Sequence, residues 1–252
     1  MHDETVVIQK NGKVNGKYCK LTFQSSSLSR KIKPGQFLNV HIDPVTFLRR
    51  PFSYYRTDGN QVEILYEVLG KGTEILSRKK KGDVLRVMGP LGKAFTQELR
   101  RRKRILVAGG IGVPPLVFLA ERNPTHALLI GTKTKDEILP KRELKNVKAQ
   151  IEYTTNDGSY GTEGNVTVLL GKILKEISPK EIFIQTCGPR VMMKTVMKIA
   201  KRYKIPGEAS IDQSMACGVG ACLGCMVKTT RGLVPSCTEG PVFSFEELDY
   251  DC

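Results

Sequence analysis

The 252-residue sequence predicts a multi-domain β + α/β chain that ends in a small cysteine-rich segment. Three observations predict it. Residues 6–98 hold short β-rich runs broken by Gly, Pro and Ser, the pattern of a small antiparallel barrel. From Arg104 the rhythm changes to strand alternating with helix, the pattern of a parallel sheet covered on both faces. Beyond residue 210, four cysteines fall at close and uneven spacing. The expected divisions are 1–99, 100–209 and 210–252.

Composition narrows the function classes. A chain of this length has room for two domains, or one large one, with real hydrophobic cores. No apolar run approaches the ~18 residues of a membrane span. Residues 1–10 lack the apolar core of a secretory signal, so the expected location is the cytoplasm. The net charge of +15 invites a nucleic-acid reading. However, the basic residues are scattered, with short clusters only at 78–81 and 100–104, and neither cluster has the interleaved aromatics of a single-strand binder. Solvated faces, or a surface for an acidic partner, fit this distribution better.

Taken in order, the first module has strand-like runs at residues 18–23, 36–42, 61–68 and 83–88. Between them lies Arg50-Pro51-Phe52-Ser53, which read alone is an ordinary turn. Gly70-Lys71-Gly72-Thr73 precedes a helical stretch at 74–79. Glycines at a helix N-terminus aim N–H groups and the helix dipole at one point, which makes a phosphate cradle. Residues 94–104 read as a solvated connector. Strands then follow at 105–108, 126–131, 150–155 and 181–186, with helices at 116–121, 135–145, 166–177 and 191–203.

Two glycine turns sit at the carboxyl ends of these strands. Gly109-Gly110-Ile111-Gly112-Val113-Pro114-Pro115 is not a G-x-G-x-x-G fingerprint. It is still a glycine turn that opens a helix where ligands dock in open α/β sheets. Thr186-Cys187-Gly188-Pro189 occupies the same rim.

Cys217, Cys222, Cys225 and Cys237 follow the pattern C-x4-C-x2-C, then eleven residues, then the fourth cysteine. This is the plant-type ferredoxin spacing for a [2Fe–2S] cluster held by four thiolates. Gly218, Gly220 and Gly224 let the loop curl tightly around such a core. Structural zinc sites come instead as two separated C-x2–4-C pairs. The remaining Cys19, Cys187 and Cys252 are odd in number, which argues against a disulfide framework.

In its order of motifs (RPFS, GKGT, GGIGVPP, TCGP) the chain resembles the ferredoxin-NADP⁺ reductase-like flavoproteins. The segment MACGVGACLGC, followed by C-x-x-GPVF, narrows the resemblance to electron-transfer subunits of NAD-linked dihydroorotate dehydrogenases of the B type. That resemblance implies an FAD-binding barrel, an NAD-binding α/β domain and a [2Fe–2S] segment. It implies that Arg50, Pro51, Phe52 and Ser53 meet the flavin and its phosphate, and that Leu65, Tyr66 and Glu67 line it. Gly72 and Thr73 would hold the pyrophosphate. Gly109, Gly110 and Gly112 would approach NAD(H), and Cys187, Gly188 and Pro189 would lie near the nicotinamide. Cys217, Cys222, Cys225 and Cys237 would hold the iron. It also implies an FMN-containing catalytic subunit as partner, two of each chain forming a heterotetramer in pyrimidine (UMP) biosynthesis. No acid–base residue is implied. Reductase subunits of hydrogenases and of ferredoxin–NADP⁺ oxidoreductases share the motif order and are the alternative. After the strand at 150–155, Asn156-Asp157-Gly158 favours NAD, while Lys133 and Lys135 keep NADP open.

Overall fold

The computed structural model describes residues 1–30, 32–42 and 47–249. Cys252, one of the three cysteines left over by the motif, lies outside the described residues.

Strands β1 (His2–Lys13), β2 (Tyr18–Gln24), β3 (Phe37–His41), β4 (Arg50–Asp58), β5 (Gln61–Glu67) and β6 (Val84–Leu91) close into an antiparallel barrel in the order β1-β2-β5-β4-β3-β6. Alternation along the strands sends Val6, Ile8, Leu21, Phe23, Val62, Ile64, Leu85 and Val87 into one core. Two short helices belong to this part, α1 (Ser26–Ser29) and α2 (Lys71–Arg78). β3 breaks the usual pattern because four of its five residues are buried, on both faces. Leu38 and Val40 fill the barrel, while Phe37 packs outward against Cys225 and Cys237.

The second part is a seven-stranded sheet. Its strands are β7 (Lys103–Gly109), β8 (Ala127–Thr132), β9 (Gln150–Thr155), β10 (Thr162–Glu163), β11 (Ile182–Cys187), β12 (Gly207–Ser210) and, from the cysteine segment, β15 (Val242–Ser244). The order is β10-β9-β8-β7-β11-β12-β15, and only β15 is antiparallel to its neighbour. Strand order reverses between β7 and β11, which makes the crevice above their carboxyl ends the natural ligand position. Helices α4 (Thr167–Glu176) and α5 (Arg190–Tyr203) cover one face through Ile105, Val107, Ala127 and Leu129. Helix α3 (Val113–Arg122) covers the other, where Leu106, Ala108, Leu128 and Ile130 face it. Pro114 and Pro115 occupy the first turn of α3, where no intrahelical N–H partner is lost. Residues 113 to 120 of α3 are all buried, because this helix lies between the sheet and the barrel. Tyr18, Tyr55 and Leu65 of the barrel share its core, and Phe118 reaches into that of the barrel. The cysteine segment adds the hairpin β13 (Met226–Thr229) and β14 (Gly232–Pro235), and then helix α6 (Ser236–Glu239).

Three local expectations are corrected. The expected helix at 135–145 is two separate 3-10 turns, Lys135–Glu137 and Lys141–Leu144, since Pro140 has no N–H to continue a helix. Arg50-Pro51-Phe52-Ser53 opens a strand and is not a turn. Pro51 is accommodated because β4 there pairs only with β3, its pairing to β5 beginning at Tyr54. The 94–104 stretch is not simply solvated. Phe95 is buried, and so is Arg104, whose guanidinium donates to the carbonyls of Thr96, Gln97 and Pro124 and to the Gln185 side chain.

Candidate functional site

A cavity of about 920 Å³ opens between the barrel and the sheet. It is lined by every residue anticipated for cofactor binding except Gly72: Arg50, Pro51, Phe52, Ser53, Leu65, Tyr66, Glu67, Thr73, Gly109, Gly110, Gly112, Cys187, Gly188 and Pro189. Gly72 lies just beneath, and a Cβ there would sit 2.9 Å from Arg50 Nε. The missing side chain therefore lets the guanidinium settle over the N-terminus of α2. The Leu69 and Gly70 N–H groups donate to Thr73 Oγ1 at 2.9 and 3.2 Å, which fixes the turn. A cation and a helix N-terminus together make this corner suitable for an anion. Next to it, Phe52 and Tyr66 meet edge to face at 5.9 Å, and the Tyr66 hydroxyl donates to Asn11 Oδ1 at 2.9 Å. The barrel wall thus offers flat apolar surface beside a positive corner, which suits a flavin carrying a pyrophosphate.

On the sheet side the two glycine turns touch. A Cβ on Gly112 would run into the Cys187 carbonyl and the Gly188 nitrogen, and one on Gly109 would sit 2.5 Å from Met192 Sδ. Only bare backbone lets β7 and β11 end so close together. Cys187 lies at the end of β11, and burial, with the Asp212 carboxylate nearby, pushes its thiol up to about 12 despite a hydrogen bond with Ser210. It is a protonated thiol at neutral pH. On the rim, Lys17 bridges Glu137 at 2.8 Å and Glu67 at 3.6 Å. Lys133 and Asn156 both reach the cavity, whereas Asp157 turns its carboxylate to the Ser159 hydroxyl at 2.6 Å.

Cys225 and Cys237 pack against Phe37 and Met215 of the cavity wall, and the four cysteines of the motif share one region. They fall into two close pairs, Cys217 with Cys222 and Cys225 with Cys237. Backbone N–H groups aim at the sulfurs: Val219 and Cys222 at Cys217 Sγ (both 3.4 Å), Gly220 at Cys237 Sγ (3.1 Å) and Cys237 at Cys225 Sγ (3.4 Å). Burial works to raise the Cys217 thiol, but those donors and Cys222 bring it down to about 6. Burial and the neighbouring Cys225 push Cys237 up to about 12. The crowding of sulfurs that raises Cys237 is relieved when an iron core takes them as thiolate ligands. Among the described residues no three Cys, His, Asp or Glu side chains converge as they would on one metal ion. Two pairs of thiols suit a dinuclear core instead. Ser236 Oγ and Asn39 Oδ1 are buried there without a protein partner, as a site meant to contain a further acceptor or donor would leave them.

A family model described as the iron–sulfur cluster binding domain of dihydroorotate dehydrogenase B matches residues 212–249. Over nearly the whole length, the chain is 38% identical to the "Dihydroorotate dehydrogenase B (NAD(+)), electron transfer subunit" of Clostridium acetobutylicum, across 96% of this chain and 95% of that one. The chain belongs to this family of electron transfer subunits. The dihydroorotate dehydrogenase B electron transfer subunit of Caldanaerobacter subterraneus subsp. tengcongensis is 34% identical over 96% of both chains. Among solved structures, an NADH-dependent reduced ferredoxin-NADP oxidoreductase, described for flavin-based electron bifurcation, aligns with a TM-score of 0.85. It is 29% identical, over 98% of this chain and 90% of that one. A ferredoxin reductase of carbazole 1,9a-dioxygenase shares the fold, with a TM-score of 0.71 at 17% identity.

As an electron transfer subunit of this family, the chain is an oxidoreductase component with a reductase-type barrel, an α/β sheet and an iron–sulfur segment. No helix among the described residues is long and apolar enough to cross a membrane. Motif reading missed the residues that join its parts. Phe37, Met215 and Pro241 line the cavity, and Phe37 and Met215 also pack with Cys225 and Cys237. Lys17 and Asn39 were likewise invisible, because a lone lysine in a hairpin and a lone asparagine in a strand carry no spacing signal.

Proposed function

We propose that the chain binds FAD against the barrel wall and holds a [2Fe–2S] cluster through Cys217, Cys222, Cys225 and Cys237. It passes electrons from the FMN of a dihydroorotate-oxidising catalytic subunit to NAD⁺ in pyrimidine synthesis. When bound, the cluster carries single electrons and the flavin exchanges a hydride with the nicotinamide. The residues bind, orient and exclude water. Arg50 and the N-terminus of α2, shaped by Gly72 and Thr73, neutralise the pyrophosphate. Pro51, Phe52, Ser53, Leu65, Tyr66 and Glu67 flank the flavin. Gly109, Gly110 and Gly112, facing Cys187, Gly188 and Pro189, admit the nicotinamide. Loop N–H groups stabilise the cysteine thiolates. The observation that carries the reading is Phe37, which separates Cys225 and Cys237 from the flavin-shaped cavity by one packed side chain.

The partner is an FMN-containing catalytic subunit, assembled as two copies of each chain, and a chain whose described cysteines form no disulfide suits the reducing cytoplasm. The test is absorption and electron paramagnetic resonance of the anaerobically purified chain before and after NADH. A flavin band that bleaches, with a reduced [2Fe–2S] signal appearing, is expected. Dihydroorotate should reduce the chain only once the catalytic subunit is added. A colourless zinc protein would overturn the reading. Reduction by ferredoxin, with none by dihydroorotate and the catalytic subunit, would favour a ferredoxin–NADP⁺ type role.

A further inference from the structure

Strand β3 turns two residues outward from the barrel, Phe37 and Asn39, which share a face because they are two positions apart. The outward face of a barrel strand ordinarily meets water. Here Asn39 is 0% exposed, covered by the loop that carries the first cysteine of the cluster motif. Its Nδ2 donates to the Cys217 carbonyl at 3.3 Å. Gly218 lies so close that a Cβ there would collide with Asn39 Nδ2, and its φ of +75° is one that glycine adopts without strain. Asn39 Oδ1 has no partner among the described residues.

An amide buried with half its hydrogen-bonding capacity unmet weakens a fold, and an apolar residue of the same volume would avoid that loss. Packing therefore does not explain an asparagine here, and the peptide it grips is the informative part. Directly after that peptide, the Val219 and Cys222 N–H groups donate to Cys217 Sγ, both at 3.4 Å. Their aim depends on where the Cys217–Gly218 peptide is held. Donors to ligand sulfur favour the more negative, reduced state of a cluster and so raise its potential.

We propose that Asn39, a barrel residue outside the cysteine motif, is a positioning residue for the iron–sulfur cluster. By clamping the Cys217–Gly218 peptide to β3, it fixes the N–H donors on Cys217 and holds the cluster at a set height against the flavin side of the chain. This rests on the cluster reading given above. It adds that a residue of the barrel sets the cluster's potential.

The test uses the full chain carrying Asn39→Leu, close in volume but without polar atoms, and Asn39→Thr, which suits a strand but falls short of the loop. Iron and flavin content, the paramagnetic resonance spectrum and the cluster midpoint potential are measured against wild type. The expected result is unchanged flavin content, a shifted resonance spectrum and a lower potential in both variants. Loss of the cluster alone, with flavin content and unfolding temperature retained, would equally support the clamp. Full iron content with wild-type spectrum and potential in both variants would overturn it. So would loss of flavin and cluster together with a lowered unfolding temperature, since Asn39 would then serve only the barrel. A wild-type chain that binds flavin but no iron would overturn the underlying cluster reading, and this inference with it.

Discussion

Cys187 shows how one side chain records its surroundings. It lines the cavity between barrel and sheet, yet burial first and the Asp212 carboxylate second push its thiol from 9.0 up to about 12. The raised value means the folded state favours the protonated form. Its contribution to stability is therefore complete below pH 9 and declines as pH climbs towards 12. The native chain at pH 8 should leave Cys187 unalkylated by iodoacetamide, while urea unfolding exposes it; mass mapping of the labelled sites checks this. Rapid native labelling at Cys187 would mean that the turn is open. Gly112 is the opposite case, a residue whose value is the atom it lacks. Gly112→Ala places a Cβ against backbone that cannot rotate away, so a loss of ~1–3 kcal/mol is expected from overpacking. Urea unfolding reads the loss, and a raised KM for NADH in a dye-reduction assay reads the displaced turn.

Elements show where sequence reasoning reaches and where it stops. β7, β8 and β11 are flanked by helices α3, α4 and α5 because their apolar runs are short and set off by glycine or proline, and such punctuation is local. The two 3-10 turns around Pro140 escape because lysines, glutamate and leucine at helix-like spacing look the same whether or not a proline divides them. β4 escapes for a tertiary reason, since a proline in a strand is tolerated only where the neighbouring strand makes no demand on its nitrogen. β3 is the extreme case. Its sequence, Phe37-Leu38-Asn39-Val40-His41, does not reveal that both faces are covered, because the cover comes from a loop far along the chain. Phe37→Ala should cost ~3–5 kcal/mol if the gap does not collapse. It should also slow the NADH-driven reduction of the cluster in stopped-flow measurements without changing flavin content. Unchanged kinetics would show that electrons do not pass near this side chain.

At the scale of the whole molecule, the barrel and the sheet are fastened by half-buried charge. Arg56 on β4 meets Glu121 of α3 at 2.9 Å and Glu63 at 3.3 Å, and Lys20 meets Glu143 at 2.7 Å. The Tyr55 hydroxyl donates to the Glu143 carbonyl at 2.8 Å. Arg56→Ala would leave Glu121 without its partner, and losing a charged hydrogen bond from a half-buried site costs ~1.5–3 kcal/mol. Urea denaturation should show that loss with little dependence on salt, because a half-buried pair is poorly screened. A loss that vanishes in high salt would mean that the pair is solvated. No spacing rule could have paired these residues, since the partners lie in parts of the chain with separate rhythms. The cysteine loop, by contrast, was readable from spacing because its geometry is confined to a few consecutive residues. The return of β15 to the sheet carries a consequence for how the protein is made. Until residues 242–244 arrive, β12 presents a bare strand edge, and the cysteine loop lies between the two strands in sequence. Covering that edge therefore waits until the chain is complete through residue 244. A chain that stopped short of residue 242 would carry, in β12, a ready template for self-association.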